Sequence, residues 1–414
     1  MYQELFITPQ ATTTSAASSS STVPSKVSVS PVLAALRTST APAKPKCQRQ
    51  NNFVFIKIHK SGSTTMIAPF QKYAYLYNLT MVVPSLNNNI HLSWPCKFIP
   101  YMSHMAPPRD QPFQALVNHV VYNKETFQSL MHPSTKYLTI VREPIPHLIS
   151  AYQYFSVSAN NTFLRRGPKE FEQFLLNPVE HDPKPYWMNR IPCSRLKSPT
   201  RNLQSFDLGL HHSDFDNQSA VTTFVEQIRQ DFDILLVLER LSESLVLMKR
   251  RFCWSMQDIL HVNKNVQKTA WGWNIQNISQ ELIPRVYQWN NADTLLYRMA
   301  NEKLNELKIG EENLSDEIKV YEETNAKVSQ YCRKVTSAHA KNSTSLQPLI
   351  IDKTQFNERF VVDVKFCTLL LIREEDFTLL HKCRQYPSYK QCKDNAKWLN
   401  DFGQLIHGQN LIDA

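Results

Sequence analysis

The chain has 414 residues, 42% of them hydrophobic and 20% charged, with seven glycines and a net charge of +10. That length supports one large domain or two ordinary ones, and the scarcity of glycine excludes collagen-like, glycine-rich repeat and linker-laden architectures. The basic balance suits a polyanionic cofactor, an acidic glycan, nucleic acid or an anionic membrane, without choosing among them.

Residues 1–50 are rich in Ser, Thr, Ala and Pro, with no acidic residue after Glu4. They lack the apolar content to fold and read as a disordered segment, either a stem or a featureless tail. Six Asn-x-Ser/Thr sequons, at Asn78, Asn160, Asn217, Asn277, Asn313 and Asn342, favour a secretory lumen. The eight cysteines contain no CxxC pair, so zinc-ribbon spacing is absent. In a lumen some of them form disulfides, and Cys383 with Cys392 is the nearest pair. No apolar run reaches the roughly 18 residues of a spanning helix, and no charged-then-apolar leader opens the chain. The lumenal reading therefore conflicts with the missing targeting segment, and two explanations stand: a truncated or wrongly started sequence, or a cytosolic protein with chance sequons.

From residue 52 the pattern is globular. "FVFIKI" (53–58) reads as a buried strand, and residues 64–77 as a helix whose Met66, Ile67, Phe70, Tyr73, Ala74 and Tyr77 share a face. Pro69 is placed early in that helix, where proline costs least. "KYLTIV" (136–141) is a second strand, followed by a helix from about 145 to 155. "FDILLVLER" (232–240) is a third, followed by a helical stretch that contains Lys249, Arg250 and Arg251. That basic run is either a solvated face or a patch near an anionic membrane. Alternating strands and helices predict an α/β protein with a mostly parallel central sheet flanked by helices. Residues 279–338 read as two helices broken near Gly310. No helix carries a basic stripe interleaved with aromatics, which argues against nucleic acid as a partner.

Between the first strand and its helix lies "KIHKSGSTT" (57–65). A strand that turns through small residues into a helix aims backbone amides and the positive helix end outward, as a cradle for phosphate or sulfate. Ser63, Thr64 and Thr65 offer hydroxyls, Gly62 permits close approach, and Lys60 supplies an ammonium. GxxxxGK[ST] is absent and the lysine precedes the glycine, which disfavours a nucleotide kinase or NTPase. After the second strand, Arg142 stands at a carboxyl end where α/β sheets gather ligands, with Ser150 in the following helix. Two anion sites, each after a strand, point to a ligand with two separated phosphates.

Together "KIHKSGSTT" and "VREP" followed by "SAYQYF" resemble the 5′-phosphosulfate and 3′-phosphate motifs of sulfotransferases that use 3′-phosphoadenosine 5′-phosphosulfate (PAPS). With "NLQSFDLGL" and the stretch from Asp231 to Leu260, the chain resembles the galactose-3-O-sulfotransferase family over roughly residues 50–300. The resemblance implies a P-loop-like sulfotransferase fold at 51–405, after the 1–50 stem and before a 406–414 tail. It implies a Golgi-lumenal, membrane-associated enzyme. The reaction would transfer a sulfuryl group from PAPS, without a metal, to the 3-hydroxyl of a β-galactose on a glycolipid or glycoprotein. His59 matches the family's catalytic base, and Lys60 the lysine on the transferring group. Ser61–Thr65 match the 5′-phosphate loop, Arg142 and Ser150 the 3′-phosphate pair. Lys57 reads equally as a contact to the donor or a flank of the strand. Glu239, Asn118, His119, Trp271 and Trp273 are weaker sugar-site candidates. A fold that binds nucleotide or glycan without turnover is the alternative.

Overall fold

A computed structural model describes residues 47–85, 90–100, 102, 104–108, 111–158, 167–185, 188, 191, 196–262, 275–339, 346–408 and 411. Trp271, Trp273 and nearly all of the expected stem lie outside them. Apart from Cys47 these residues belong to one unit, Gln48–Ala414.

Four strands form a parallel sheet: β1 (Phe53–Ile56), β2 (Ala115–Leu116), β3 (Lys136–Val141) and β4 (Ile234–Val237), in the order β2-β1-β3-β4. Phe53 pairs with Lys136, and Leu138 with Ile234. In β1 and β4 every residue is buried, as a sheet covered on both faces requires. β2 is two residues long and carries no periodicity, so the sequence does not announce it. The expected strand 232–240 is shortened because Leu238–Arg240 turn into a 3₁₀ helix.

The helices that matter for the site are α1 (Ser63–Leu76), α2 (Pro144–Ser158), α3 (Leu203–Asp207), α4 (Leu241–Phe252), α5 (Asn291–Lys308), α6 (Leu314–His339) and α7 (Glu374–Gln385). α1 runs unbroken through Pro69, which is its seventh residue and so beyond the first turn expected for it. Proline there removes the amide that would bond the Thr65 carbonyl, and burial of nearly the whole helix compensates. Phe70 stacks on Phe55 at 4.4 Å between ring centres, and Tyr73 on Trp254 at 3.8 Å. α5 and α6 are parted near Gly310, which takes a φ of 78°.

The basic run in α4 is not an open patch. Lys249 pairs with Glu317 at 2.6 Å, Arg250 with Glu311 at 2.8 Å and Glu317 at 2.6 Å, and Arg251 with Glu311 at 3.7 Å. These charges fasten α4 to the start of α6, and the expectation of a membrane-facing or solvated patch is corrected accordingly. Disulfides join Cys332 to Cys367 and, as expected from their spacing, Cys383 to Cys392.

Phe70→Ala empties a fully buried ring site. It is expected to cost about 3–5 kcal/mol, read as a lower urea midpoint with an unchanged m-value.

Candidate active site

The carboxyl ends of β1 and β3 lie side by side, because Ile56 pairs with Thr139. The loops that follow them therefore meet, and the residues singled out in the sequence lie on those loops.

The β1 loop has an unusual backbone. Lys60 has a φ of 62° and Gly62 a φ of 76°. The left-handed region costs a residue with a side chain of the order of 1 kcal/mol, so Lys60 stays there only because the surroundings hold it. Arg142 Nη1 donates to the Lys60 carbonyl at 3.1 Å, and His147 Nε2 donates to the His59 carbonyl at 2.9 Å. A side chain at Gly62 would meet Leu238 Cδ1 at 2.7 Å.

Ser61 and Ser63 donate their hydroxyls to the Ile58 carbonyl, at 3.0 and 2.6 Å. They shape the loop from within rather than offering those protons outward, as had been expected of Ser63. The amides of Ser61, Gly62, Ser63 and Thr64 and the hydroxyls of Thr64 and Thr65 meet no acceptor among the described residues. Such a fan of unpartnered donors at a helix start is an anion cradle. Lys60 Nζ lies beside it, 4.2 Å from the ring centre of Tyr154. Burial, with the charge of Arg142, pushes the Lys60 ammonium down to about 8.

Arg142 has no carboxylate within ion-pair distance among the described residues. Its backbone is clamped by Gln204 of α3: the amide donates to Gln204 Oε1 at 2.8 Å, and Gln204 Nε2 donates to the Arg142 carbonyl at 2.9 Å. Glu239 accepts from the Glu143 amide at 3.1 Å and so holds the turn after β3. On α2, His147, Ser150 and Tyr154 fall at i, i+3 and i+7, on one face. His147 and Tyr154 both touch the β1 loop, so Ser150, which lies between them with a half-buried, unpartnered hydroxyl, faces it too.

His59 is 7% exposed. Its ring lies 3.8 Å from that of His119 and 4.0 Å from that of Trp94. Its Nδ1 is 2.8 Å from Asp207 Oδ2, the atom that also accepts from the His59 amide at 2.8 Å. Trp94 Nε1 donates to Asp207 Oδ1 at 2.7 Å. His119 Nδ1 donates to the Lys57 carbonyl at 2.7 Å, and Asn118 reaches the Ile90 carbonyl at 3.1 Å. Burial, reinforced by neighbouring positive charge, pushes the imidazoles of His91 and His147 down to about 3, and that of His119 well below its ordinary value. All three are neutral at working pH.

His59, His91 and His119 bring one ring nitrogen each to within 4.8 Å of one another. The donor type suits a late first-row cation. Their planes lie only 7° to 19° apart, however, so the in-plane lone pairs run side by side instead of converging.

Of the expected site residues, the structure brings together His59, Lys60, the 61–65 loop, Arg142 and Ser150. Lys57 is drawn elsewhere: its buried ammonium is ion-paired with Glu374 at the start of α7. Asp207, Gln204, Trp94, His91, His147 and Tyr154 were not anticipated. Tyr154 and His147 flank Ser150 at helical spacing and were open to discovery from sequence. Asp207 and Trp94 come from distant segments and carried no signal of their own.

A parallel α/β sheet with an anion cradle and an adjacent imidazole at its strand ends defines a group-transfer site for an anionic donor. The galactose-3-O-sulfotransferase family profile matches residues 5–355, and the chain belongs to that family. It is 25% identical over 308 residues to galactosylceramide sulfotransferase of Mus musculus, covering 73% of this chain and 69% of that protein. Against the Bos taurus enzyme of the same name the identity is 26% over 309 residues, with 73% and 69% covered. Against Homo sapiens galactose-3-O-sulfotransferase 2 it is 26% over 254 residues, with 61% and 60% covered.

Gly62→Ala places a Cβ against Leu238 in a backbone region that L-residues avoid. Titration calorimetry with inorganic pyrophosphate is expected to show roughly tenfold weaker binding than wild type.

Proposed function

We propose that this protein transfers a sulfuryl group from PAPS to the 3-hydroxyl of a β-galactose on a glycolipid or glycoprotein, on a P-loop-like sulfotransferase fold. The single observation that carries the reading is the pairing of an unpartnered amide fan and Lys60 with an imidazole, His59, one residue away. Family membership supports the sulfotransferase class. The names of the relatives support galactose as the acceptor sugar.

The donor set fits a ligand with two separate phosphates. The amides of Ser61–Thr64, with the Thr64 and Thr65 hydroxyls, would hold the 5′-phosphate. The free guanidinium donors of Arg142 and the Ser150 hydroxyl would hold the 3′-phosphate. Lys57 is left out of this set, because Glu374 already neutralises it. Bound PAPS supplies an activated sulfuryl group on a good leaving phosphate. Lys60 and the loop amides would stabilise the negative charge that builds on the oxygens in transfer. His59 would accept the proton that the sugar hydroxyl loses. Its Nε2 is the nitrogen for this, since Nδ1 is taken by Asp207. The low accessibility of His59 keeps water from competing as acceptor.

The same reading places the enzyme in the Golgi lumen, associated with a membrane surface. The sequon asparagines among the described residues, Asn78, Asn217, Asn277 and Asn313, are all exposed, as glycosylation requires. The disulfides fit an oxidising compartment. No helix among the described residues is long and apolar enough to cross a membrane.

Incubation with ³⁵S-labelled PAPS and a panel of β-galactosides tests the reading. Wild type should label at least one galactoside at the 3-position, and His59→Ala should be slower by about 10²–10⁴. Absence of transfer to every galactoside by wild type counts against it. A second test uses pH. Lys60 is charged below about 8 and loses its proton as pH rises through that value. Affinity for adenosine 3′,5′-bisphosphate should therefore hold up to about pH 8 and fall above it. In Lys60→Arg, calorimetry should find it nearly flat to pH 9.5 or so, because guanidinium stays charged.

A further inference from the structure

We propose that Asp207 is a positioning residue for His59, fixing the imidazole as the Nδ1–H tautomer so that Nε2 is the proton acceptor. The inference rests on the reading of His59 as the base.

Asp207 is fully buried at the end of α3. Three nitrogens converge on its carboxylate: the His59 amide and His59 Nδ1 at Oδ2, and Trp94 Nε1 at Oδ1, all within 2.8 Å. The amide and the indole are donors only. A carboxylate that takes both, one on each oxygen, has only acceptor capacity to offer the ring. His59 Nδ1 must then carry the hydrogen, and the Nε2 lone pair is left for chemistry. In water the opposite tautomer of imidazole is favoured slightly, so the pairing has a choice to impose. The same carboxylate stabilises the imidazolium that forms once the proton has been taken, the role an orienting carboxylate has in other histidine-base enzymes. Trp94 and His119 pack on the ring, so its plane is held while its tautomer is set.

The contact geometry makes an unusual substitution informative. In Asp207→Asn the amide has one oxygen and one NH₂. With the oxygen toward His59, the NH₂ meets the Trp94 N–H. With the oxygen toward Trp94, the NH₂ meets the His59 backbone N–H and donates to Nδ1, which shifts the ring hydrogen to Nε2. Each orientation forces one donor against a donor, so both are populated and the tautomers mix. Trp94→Phe removes the indole donor and keeps an aromatic face on His59. In the double variant the oxygen can turn to His59 with no clash, and the Nδ1–H tautomer returns.

The test combines long-range ¹H–¹⁵N spectra of the full chain labelled with ¹⁵N-histidine, His59 being assigned by its loss in His59→Ala, with kcat and KM for labelled sulfuryl transfer. Wild type is expected to show Nδ1–H. Asp207→Asn is expected to show mixed tautomers and a kcat lower by about a hundredfold or more, with KM for the donor nearly unchanged. Asp207→Asn/Trp94→Phe is expected to regain Nδ1–H and a kcat above that of Asp207→Asn alone, a rescue that a merely structural carboxylate does not give. An Nε2–H signal for His59 in wild type overturns the proposal even if no variant folds. So does an Asp207→Asn enzyme with wild-type kcat, or a double variant slower than both singles. Full activity in His59→Ala fails the reading of the base instead, and is told apart because the wild-type tautomer is read independently of turnover.

Discussion

The site depends on a helix of five residues. Leu203–Asp207 makes no strand and binds no expected ligand, yet both ligand loops are fastened to it. Gln204 grips the backbone of Arg142 in both directions, and Asp207 grips both the amide and the ring of His59. A helix this short cannot hold itself in water. It is clamped to the start of α5. The Asn202 side chain accepts from the amides of Ala292 and Asp293, at 3.1 and 3.3 Å. Asp293 in turn accepts from the amides of Gln204 and Ser205, at 3.2 and 2.8 Å. Each helix start caps the other, with the orphan amides of both satisfied by side chains from across the join. Burial pushes the Asp293 carboxyl up to about 6, so acidification acts on the clamp before it reaches ordinary carboxylates. The placing of His59 thus depends on a packing contact between segments some ninety residues apart in sequence.

Electrostatics explains why the histidines packed around His59 are neutral at rest. Lys57, Lys60 and Arg142 crowd one end of the sheet, and among the described residues only Lys57 has a carboxylate within ion-pair distance, Glu374. The two that remain form the anion site, and their mutual repulsion is relieved when an anion arrives. A protonated imidazole added to this group would meet positive charge with little water to screen it. His91, His119 and His147 show the outcome, each held uncharged by burial and by these neighbours. The inner nitrogen of His59 meets a carboxylate oxygen, Asp207 Oδ2, at 2.8 Å.

Much of this was legible in sequence. The three longer strands, α1, α2 and the break near Gly310 follow from hydrophobic period and turn residues, and the loops that matter follow from their place at strand ends. What could not be read has physical causes. β2 has two residues and no period. The pairing of Lys57 with Glu374 joins segments 317 positions apart, and nothing local to either hints at the other. Ser63 looked like a ligand donor because it lies in a phosphate-type loop, but a hydroxyl near a free carbonyl folds back to it. Lys249–Arg251 looked like a patch because the sequence shows charge without showing which carboxylates surround it. Asp207 was visible within "NLQSFDLGL", but its role depends on a contact that no spacing encodes.

The position of Lys60 at the front of its loop follows from the same contacts. In a loop whose lysine comes last, the ammonium extends from the first turn of the helix and reaches back over the cradle. Here the first turn of α1 holds Ser63, Thr64 and Thr65, and at Gly62 the left-handed backbone, with a Leu238 methyl 2.7 Å from where a Cβ would stand, disfavours a side chain. The loop's own cation, Lys60, comes from before the glycine. Lys60 has a left-handed backbone, and its side chain reaches α2, where the ammonium lies 4.2 Å from the centre of the Tyr154 ring. That same turn presents the Lys60 carbonyl to Arg142, which ties the two anion-binding loops into one unit. The backbone turn at a single residue therefore sets both the place of the cation and the tie between the two loops, and a lysine in an ordinary backbone conformation at this point would give up both.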